Sequence, residues 1–160
     1  MQEEQANALA LLTTASLTAY GVAGLASVFS RARRAVTRIT AGVAVAITSA
    51  AAHAAILVAR YLGPGVRMLW VAEPGACPAC VAYAGRMVVP GRFFPGGLST
   101  DPARTVFLTP ITAPPRHVSC RCVLIPYHPG WHTTGPRLPL LLQQRARYGA
   151  RTPALARRTA

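Results

Sequence analysis

The sequence predicts an α+β protein: Ala-rich N-terminal helices, then a small loop-rich module with short strands, then a basic C-terminal tail. Three observations support this division. Residues 5–60 contain no Pro and are dominated by Ala. Pro and Gly become frequent after "YLGPG" at 61–65, and all four cysteines follow within one short stretch. We therefore assign a helical region to 1–65, a Cys/His module to 66–128, and a Pro/Arg-rich extension to 129–160.

The N-terminal region reads as two helices. One covers roughly 5–28, and "SRARR" at 30–34 is the expected break or bend, with Ser30 as N-cap of the next helix. In that second helix, apolar residues recur at spacings of three and four, which predicts one apolar face. The residues of this face are Val36, Ile39, Val43, Ala46, Ala50, Ala54 and Leu57.

The same region leaves a membrane interpretation open. Two of its segments carry no charge and are long enough to span a bilayer, and the Arg-rich turn between them would then lie on the cytoplasmic side. Against this, both segments consist mainly of Ala, Thr, Ser and Gly, which contribute little to insertion. Small residues also suit close packing of helices in protein assemblies.

The module should contain short strands, and the extension one short helix. Strand candidates are the apolar runs "VRMLWVA", "RMVVPG", "TVFLTP" and "CVLIPY". A short helix is expected around Leu140 to Tyr148, and the last dozen residues read as an extended or disordered basic tail.

The cysteines form two separated groups with metal-ligand spacing. C-x2-C places Cys77 and Cys80 together across a turn, and H-x2-C-x-C supplies His117, Cys120 and Cys122. Two ligand groups that close a loop match the pattern of a structural Zn²⁺ site. Five candidates compete for four tetrahedral positions. Either all four cysteines bind the ion, or His117 takes the fourth place and one cysteine lies beside the site.

A structural metal would also stabilise the folded module, which is small and has few apolar side chains for a core. Zinc can contribute on the order of 10 kcal/mol to folding.

Other interpretations of the cysteines have less support in the sequence. A redox motif would need a long helix after "CPAC", whereas Gly85 and Pro90 interrupt that segment. The N-terminus does not resemble a signal peptide, which disfavours disulfides. With four acidic residues in the chain, a general acid–base set is not evident, so we expect no enzyme.

The ordered motif resembles the phage Mu F-like minor head, or head morphogenesis, proteins. The resemblance covers roughly residues 67–127. The residues that carry it are Trp70, Ala76, Cys77, Pro78, Cys80, Gly85, Pro114, Pro115, His117, Cys120, Arg121, Cys122, Leu124 and Pro126. It implies a structural component of a tailed-phage head, inside the capsid or at the portal, made in the host cytoplasm and acting in head assembly or DNA packaging. The alternative is a small membrane protein with a helical hairpin and a cytoplasmic zinc knob.

Charge points to the expected partners. The net charge is +13, and all 17 basic residues are Arg, whose guanidinium binds phosphate in bidentate fashion. We expect contacts with portal or other head proteins, self-association through the apolar helices, and sequence-independent contact with packaged DNA. The expected DNA contacts are Arg145, Arg147, Arg151, Arg157 and Arg158.

Overall fold

The computed structural model describes residue 6 and residues 14–104, 107–132 and 135–156. It confirms the α+β class, because a long N-terminal helix precedes a small three-stranded antiparallel sheet. The chain divides into two compact units, residues 1–44 and 45–160. The sheet, the cysteine groups and the C-terminal helix all belong to the second unit.

Helix α1 spans Thr14–Tyr61 and is interrupted at Gly21, where φ is 52° and ψ is −144°. The predicted break at 30–34 is therefore wrong, since those residues are helical. Ala and Arg are good helix formers, and Ser costs little in a helix interior. Gly21 is the residue that adopts a positive φ without a Cβ clash, so the interruption falls there.

The buried face of α1 in the second unit consists of small and branched residues. Ala52, Ile56 and Ala59 are buried at helical spacing and join the module's core. The predicted apolar face is offset from this one, since Val43 and Leu57 remain more than half exposed. Ala at 52 and 59 allows the helix to lie close to the core, which large side chains at those positions would prevent.

The sheet has the order β2-β1-β3, with β1 at Arg67–Val71, β2 at Met87–Val88 and β3 at Val123–Tyr127. Both neighbours of β1 run antiparallel to it, and Leu69 pairs with Met87 on one side and Ile125 on the other. Three of the four predicted strand segments are confirmed. In the fourth, Phe107 to Pro110 form no strand, and residues 105 and 106 lie outside the described residues.

An aromatic group fills the centre of the module. The Trp70 ring lies 5.0 Å from that of Tyr83 and 5.2 Å from that of Phe94, centroid to centroid. All three side chains are fully buried. The neighbouring Phe93 instead points to solvent, with 64% of its surface exposed. The backbone bridge between Phe94 and Ile111 fixes which of the two phenylalanines faces inward.

Two further helices complete the unit: α2 at Pro78–Tyr83 and α3 at Leu138–Ala156. The prediction of an extended tail is wrong as far as Ala156, and residues 157–160 lie outside the described residues. Packing explains the longer helix. Ala146 is buried against Val81 and Ala84, and this anchored turn lets the helix propagate through the Arg- and Ala-rich residues that follow.

Gly85 should be the glycine on which this packing depends most. Its φ is 75°, and a Cβ there would overlap the carbonyl oxygen of Pro139 at the start of α3. Gly75 has nearly the same φ, 76°, but open space around its Cβ position. We expect Gly75→Ala to lower the free energy of unfolding by about 1–2 kcal/mol and Gly85→Ala by about 3 kcal/mol or more. Urea unfolding of both variants measures the difference, and equal losses would contradict this packing.

Candidate metal centre

The fold brings the two cysteine groups together in one pocket. Cys77 is the N-cap of α2 and Cys80 lies in its first turn. His117 and Cys120 lie in the loop that leads to β3, and Cys122 directly precedes that strand. All five sequence-predicted ligands therefore meet between α2 and the start of β3, although 37 or more residues separate the two groups in sequence.

The ligand atoms form two triads that share one sulfur. In the first, His117 Nε2 lies 3.2 Å from Cys77 Sγ and 3.4 Å from Cys80 Sγ. In the second, Cys80 Sγ lies 3.7 Å from Cys120 Sγ, and Cys122 completes the group. Within each triad all ligand atoms are within 4.8 Å of one another. Cys80 is thus the centre of the cluster.

Local backbone structure sets these positions. Pro78 begins α2, where its missing N–H costs nothing, and the Cys80 N–H donates to Cys77 Sγ at 3.5 Å. One helical turn then places both sulfurs on the same side. In the second group, the Cys120 N–H donates to the His117 carbonyl at 2.9 Å, which closes a turn and turns both side chains toward α2.

The pocket is buried on one side and open on the other. Cys80, Cys120 and Cys122 are buried, whereas Cys77 and His117 are partly exposed at the mouth of a cavity of about 230 Å³. At that mouth Arg121 Nε lies 2.8 Å from a carboxylate oxygen of Glu73. An ion could therefore enter from solvent without opening the core.

The thiols perturb one another strongly. The hydrogen bond with Cys80 lowers the pKa of Cys77 to about 5, and the bond with Cys122 holds the pKa of Cys120 well below that of a free thiol. The partners shift the other way: the bond with Cys120 raises the pKa of Cys80, and it raises that of Cys122 to about 11. In this arrangement Cys80 and Cys122 keep their protons, whereas Cys77 and Cys120 lose theirs more readily. A cation that replaced those protons would allow all four to be thiolates.

No family model matches the chain, and no curated protein or solved structure is significantly similar to it.

The geometry itself fits a tetrahedral ion. Zinc–sulfur bonds of about 2.3 Å place two thiolates of a tetrahedral site about 3.8 Å apart. The 3.7 Å between Cys80 and Cys120 is close to that separation. These Cys and His side chains are therefore a group that could hold a metal ion.

Sequence reasoning missed the residue that supports the histidine. Arg116 is buried, and one terminal nitrogen donates to the carbonyls of Phe107 and Thr109, the latter at 2.9 Å. Its guanidinium lies 5.2 Å from the centre of the Phe107 ring, and that ring stacks on His117 at 6.0 Å. Arg116 thus holds the loop that orients the imidazole. The sequence indicates this role only through the position of Arg116 directly before the candidate ligand His117.

Of the predicted DNA contacts, Arg145 and Arg147 do not line the pocket of the cysteines. Arg145 and Arg147 are exposed on α3, and Arg151 belongs to the same helix. Arg157 and Arg158 lie outside the described residues. The structure does not test whether these arginines contact nucleic acid, so the assignment stays a prediction.

Because Cys80 belongs to both triads, its loss should disrupt any metal site that the cluster forms. We expect Cys80→Ser to reduce bound metal per chain at least tenfold, since serine's hydroxyl is a poor ligand at neutral pH. Elemental mass spectrometry of the purified full chain measures this. Ser119→Ala is the matched control, because Ser119 lines the same pocket without offering a thiolate. Full metal content in Cys80→Ser would show that the cluster is not the binding site.

Proposed function

We propose that this protein is a structural minor head protein of a tailed phage, located in the capsid interior or at the portal, and acting in head assembly or DNA packaging. The observation that carries the proposal is the convergence of both halves of the Mu F-like motif in one pocket. The opening Trp70 of that motif also lies at the centre of the core beneath the pocket. The motif residues therefore act together as one folded unit.

We propose that the cluster binds one structural Zn²⁺. We propose Cys77, Cys80 and His117 as three of the ligands, since their ligand atoms form one triad, and Cys120 or Cys122 as the fourth. Mixed nitrogen and sulfur ligands in a tetrahedral arrangement are typical of structural zinc. The ion joins α2 to the loop before β3 and so closes the module across its longest internal connection.

A structural role suits the chemistry around the ion. Catalytic zinc needs an open coordination position and a general base. Here five candidate side chains surround a site that needs four, so protein ligands can fill every position. The nearby carboxylate, Glu73, is already paired with Arg121. We therefore propose that the protein is not an enzyme.

The proposed partners follow from the exposed surfaces. In the second unit, α1 leaves Ile47, Leu57 and Val58 at least half exposed, which suits contact with portal or other head proteins or with further copies of the chain. The arginines of α3 and of the residues after it would neutralise phosphates of packaged DNA without reading its sequence.

One observation favours a second candidate, a small membrane protein with a cytoplasmic zinc knob. Among the described residues, the helical stretch Ala26–Tyr61 is long and apolar enough to cross a bilayer, and its most apolar 18 residues have a mean hydropathy of 1.9. Only 11% of those residues are buried. Core helices of soluble proteins reach similar length and composition, but they are mostly buried.

Fractionation separates the two candidates. We expect the full chain to co-purify with phage heads and, when expressed alone, to leave the membrane fraction without detergent. Ile47→Asp provides the matched variant, because a carboxylate in a membrane-spanning segment costs about 2.5–3.5 kcal/mol of insertion. In a head protein this exposed position should tolerate the charge without loss of folding. Release from membranes only by detergent, abolished by Ile47→Asp, would favour the membrane protein.

DNA affinity should fall as salt rises. Five phosphate contacts predict a slope of about −4 to −5 in a plot of log affinity against log salt concentration. Replacing Arg145, Arg147 and Arg151 together by Ala should reduce that slope by about 3. The matched control replaces the exposed Arg60, Arg67 and Arg92, which lie outside the C-terminal helix. An equal reduction in the control would contradict the assignment to the C-terminal arginines.

A further inference from the structure

A second pocket lies on the side of α2 away from the cysteines. It is a cleft of about 600 Å³ between α2, the loop at 98–100 and α3. Its lining includes two arginines from separate elements, Arg86 after α2 and Arg147 on α3. The apolar part of the lining comes from Pro78, Val81, Ala82 and Leu98, and the neutral polar part from Ser99, Thr100 and Gln143.

The walls of this cleft are held in place by backbone contacts. Both the N–H and the hydroxyl of Thr100 donate to the Pro78 carbonyl, at 3.1 and 3.2 Å, which ties the loop to the start of α2. On the other side, Ala146 packs against Val81 and Ala84, so α3 has a defined position. Gln143 and Arg147 are one helical turn apart on α3 and therefore share the face that lines the cleft.

The cleft carries positive charge without a balancing carboxylate. Arg86 Nε donates to the Ala82 carbonyl at 3.0 Å, which orients the guanidinium and leaves its terminal nitrogens available for another acceptor. Among the residues that the structure describes, neither Arg86 nor Arg147 forms an ion pair with Asp or Glu, and no acidic side chain lines the cleft. Two arginines that converge on one space in this way favour an anion with several oxygens.

We propose that this cleft binds the phosphate group of a nucleotide, with the two arginines on the phosphate and the apolar side chains of its lining against the sugar or base. A volume of about 600 Å³ is larger than a bare phosphate needs and suits an organic phosphate. The phosphate can come from a free nucleotide or from a nucleic acid strand, and the chemistry of recognition is the same. The site goes beyond the proposed DNA contacts, because Arg86 is not among them and because it requires no polyanion.

Calorimetry of the metal-loaded full chain tests the proposal with thymidine 5′-monophosphate as the probe. We expect saturable binding, and at least tenfold weaker binding of thymidine, which lacks the phosphate. Arg86→Ala and Arg147→Ala should each weaken binding of the monophosphate about tenfold. Arg137→Ala is the matched control, because Arg137 is an exposed arginine directly before α3 that neither lines the cleft nor belongs to the predicted DNA contacts. Its affinity should stay within about twofold of the parent.

Three results would overturn the site: no saturable binding of the monophosphate, equal binding of thymidine, or equal loss in Arg137→Ala and Arg147→Ala. Arg147→Ala keeps the test valid if Arg86→Ala fails to fold, because Arg147 is exposed. A short oligothymidylate that binds much more tightly than the monophosphate identifies a strand as the source, and equal affinity identifies a free nucleotide. Loss of the salt-dependent DNA binding proposed above would leave these monophosphate results unchanged, so the two proposals can fail separately.

Discussion

The cluster of four thiols and one imidazole is the interaction on which the module depends. Cys80 Sγ lies 3.7 Å from Cys120 Sγ, and the pKa values of Cys77 and Cys80 are shifted in opposite directions. A bound metal ion would place a positive charge among the sulfurs and would join two chain segments far apart in sequence. The sheet and the aromatic core rest on those same segments, because α2 follows β1 and Cys122 precedes β3. The cysteine pocket is therefore connected along the chain to both β1 and β3.

The sequence predicted the parts of the site that depend on spacing. C-x2-C and H-x2-C-x-C each confine their side chains within about one turn, so the two groups could be identified without knowing the fold. The strands around Trp70 and Leu124 were also predictable, because short apolar runs between turn residues have few alternatives. Arg116 was not, because its partners are backbone carbonyls of a loop, and no side-chain pattern marks them.

One error had a local backbone cause, and another arose because tertiary contacts override local patterns. The break at 30–34 was inferred from polar residues, but a helix needs a backbone reason to stop, and Gly21 has one. The last dozen residues were predicted as an extended or disordered tail, yet α3 continues to Ala156 from the turn that Ala146 anchors. The exposure of Phe93 followed the same rule, since the pairing of Phe94 with Ile111 decided which side chain turned inward.

We propose that a bound ion, more than apolar packing, keeps the module folded. Hydrogen exchange of the full chain before and after chelation tests this dependence. We expect amides of β1 and β3 to lose protection together when the metal is removed and to recover it when Zn²⁺ is added back, because zinc binding is coupled to folding. Unchanged protection of both strands in the chelated protein would contradict it.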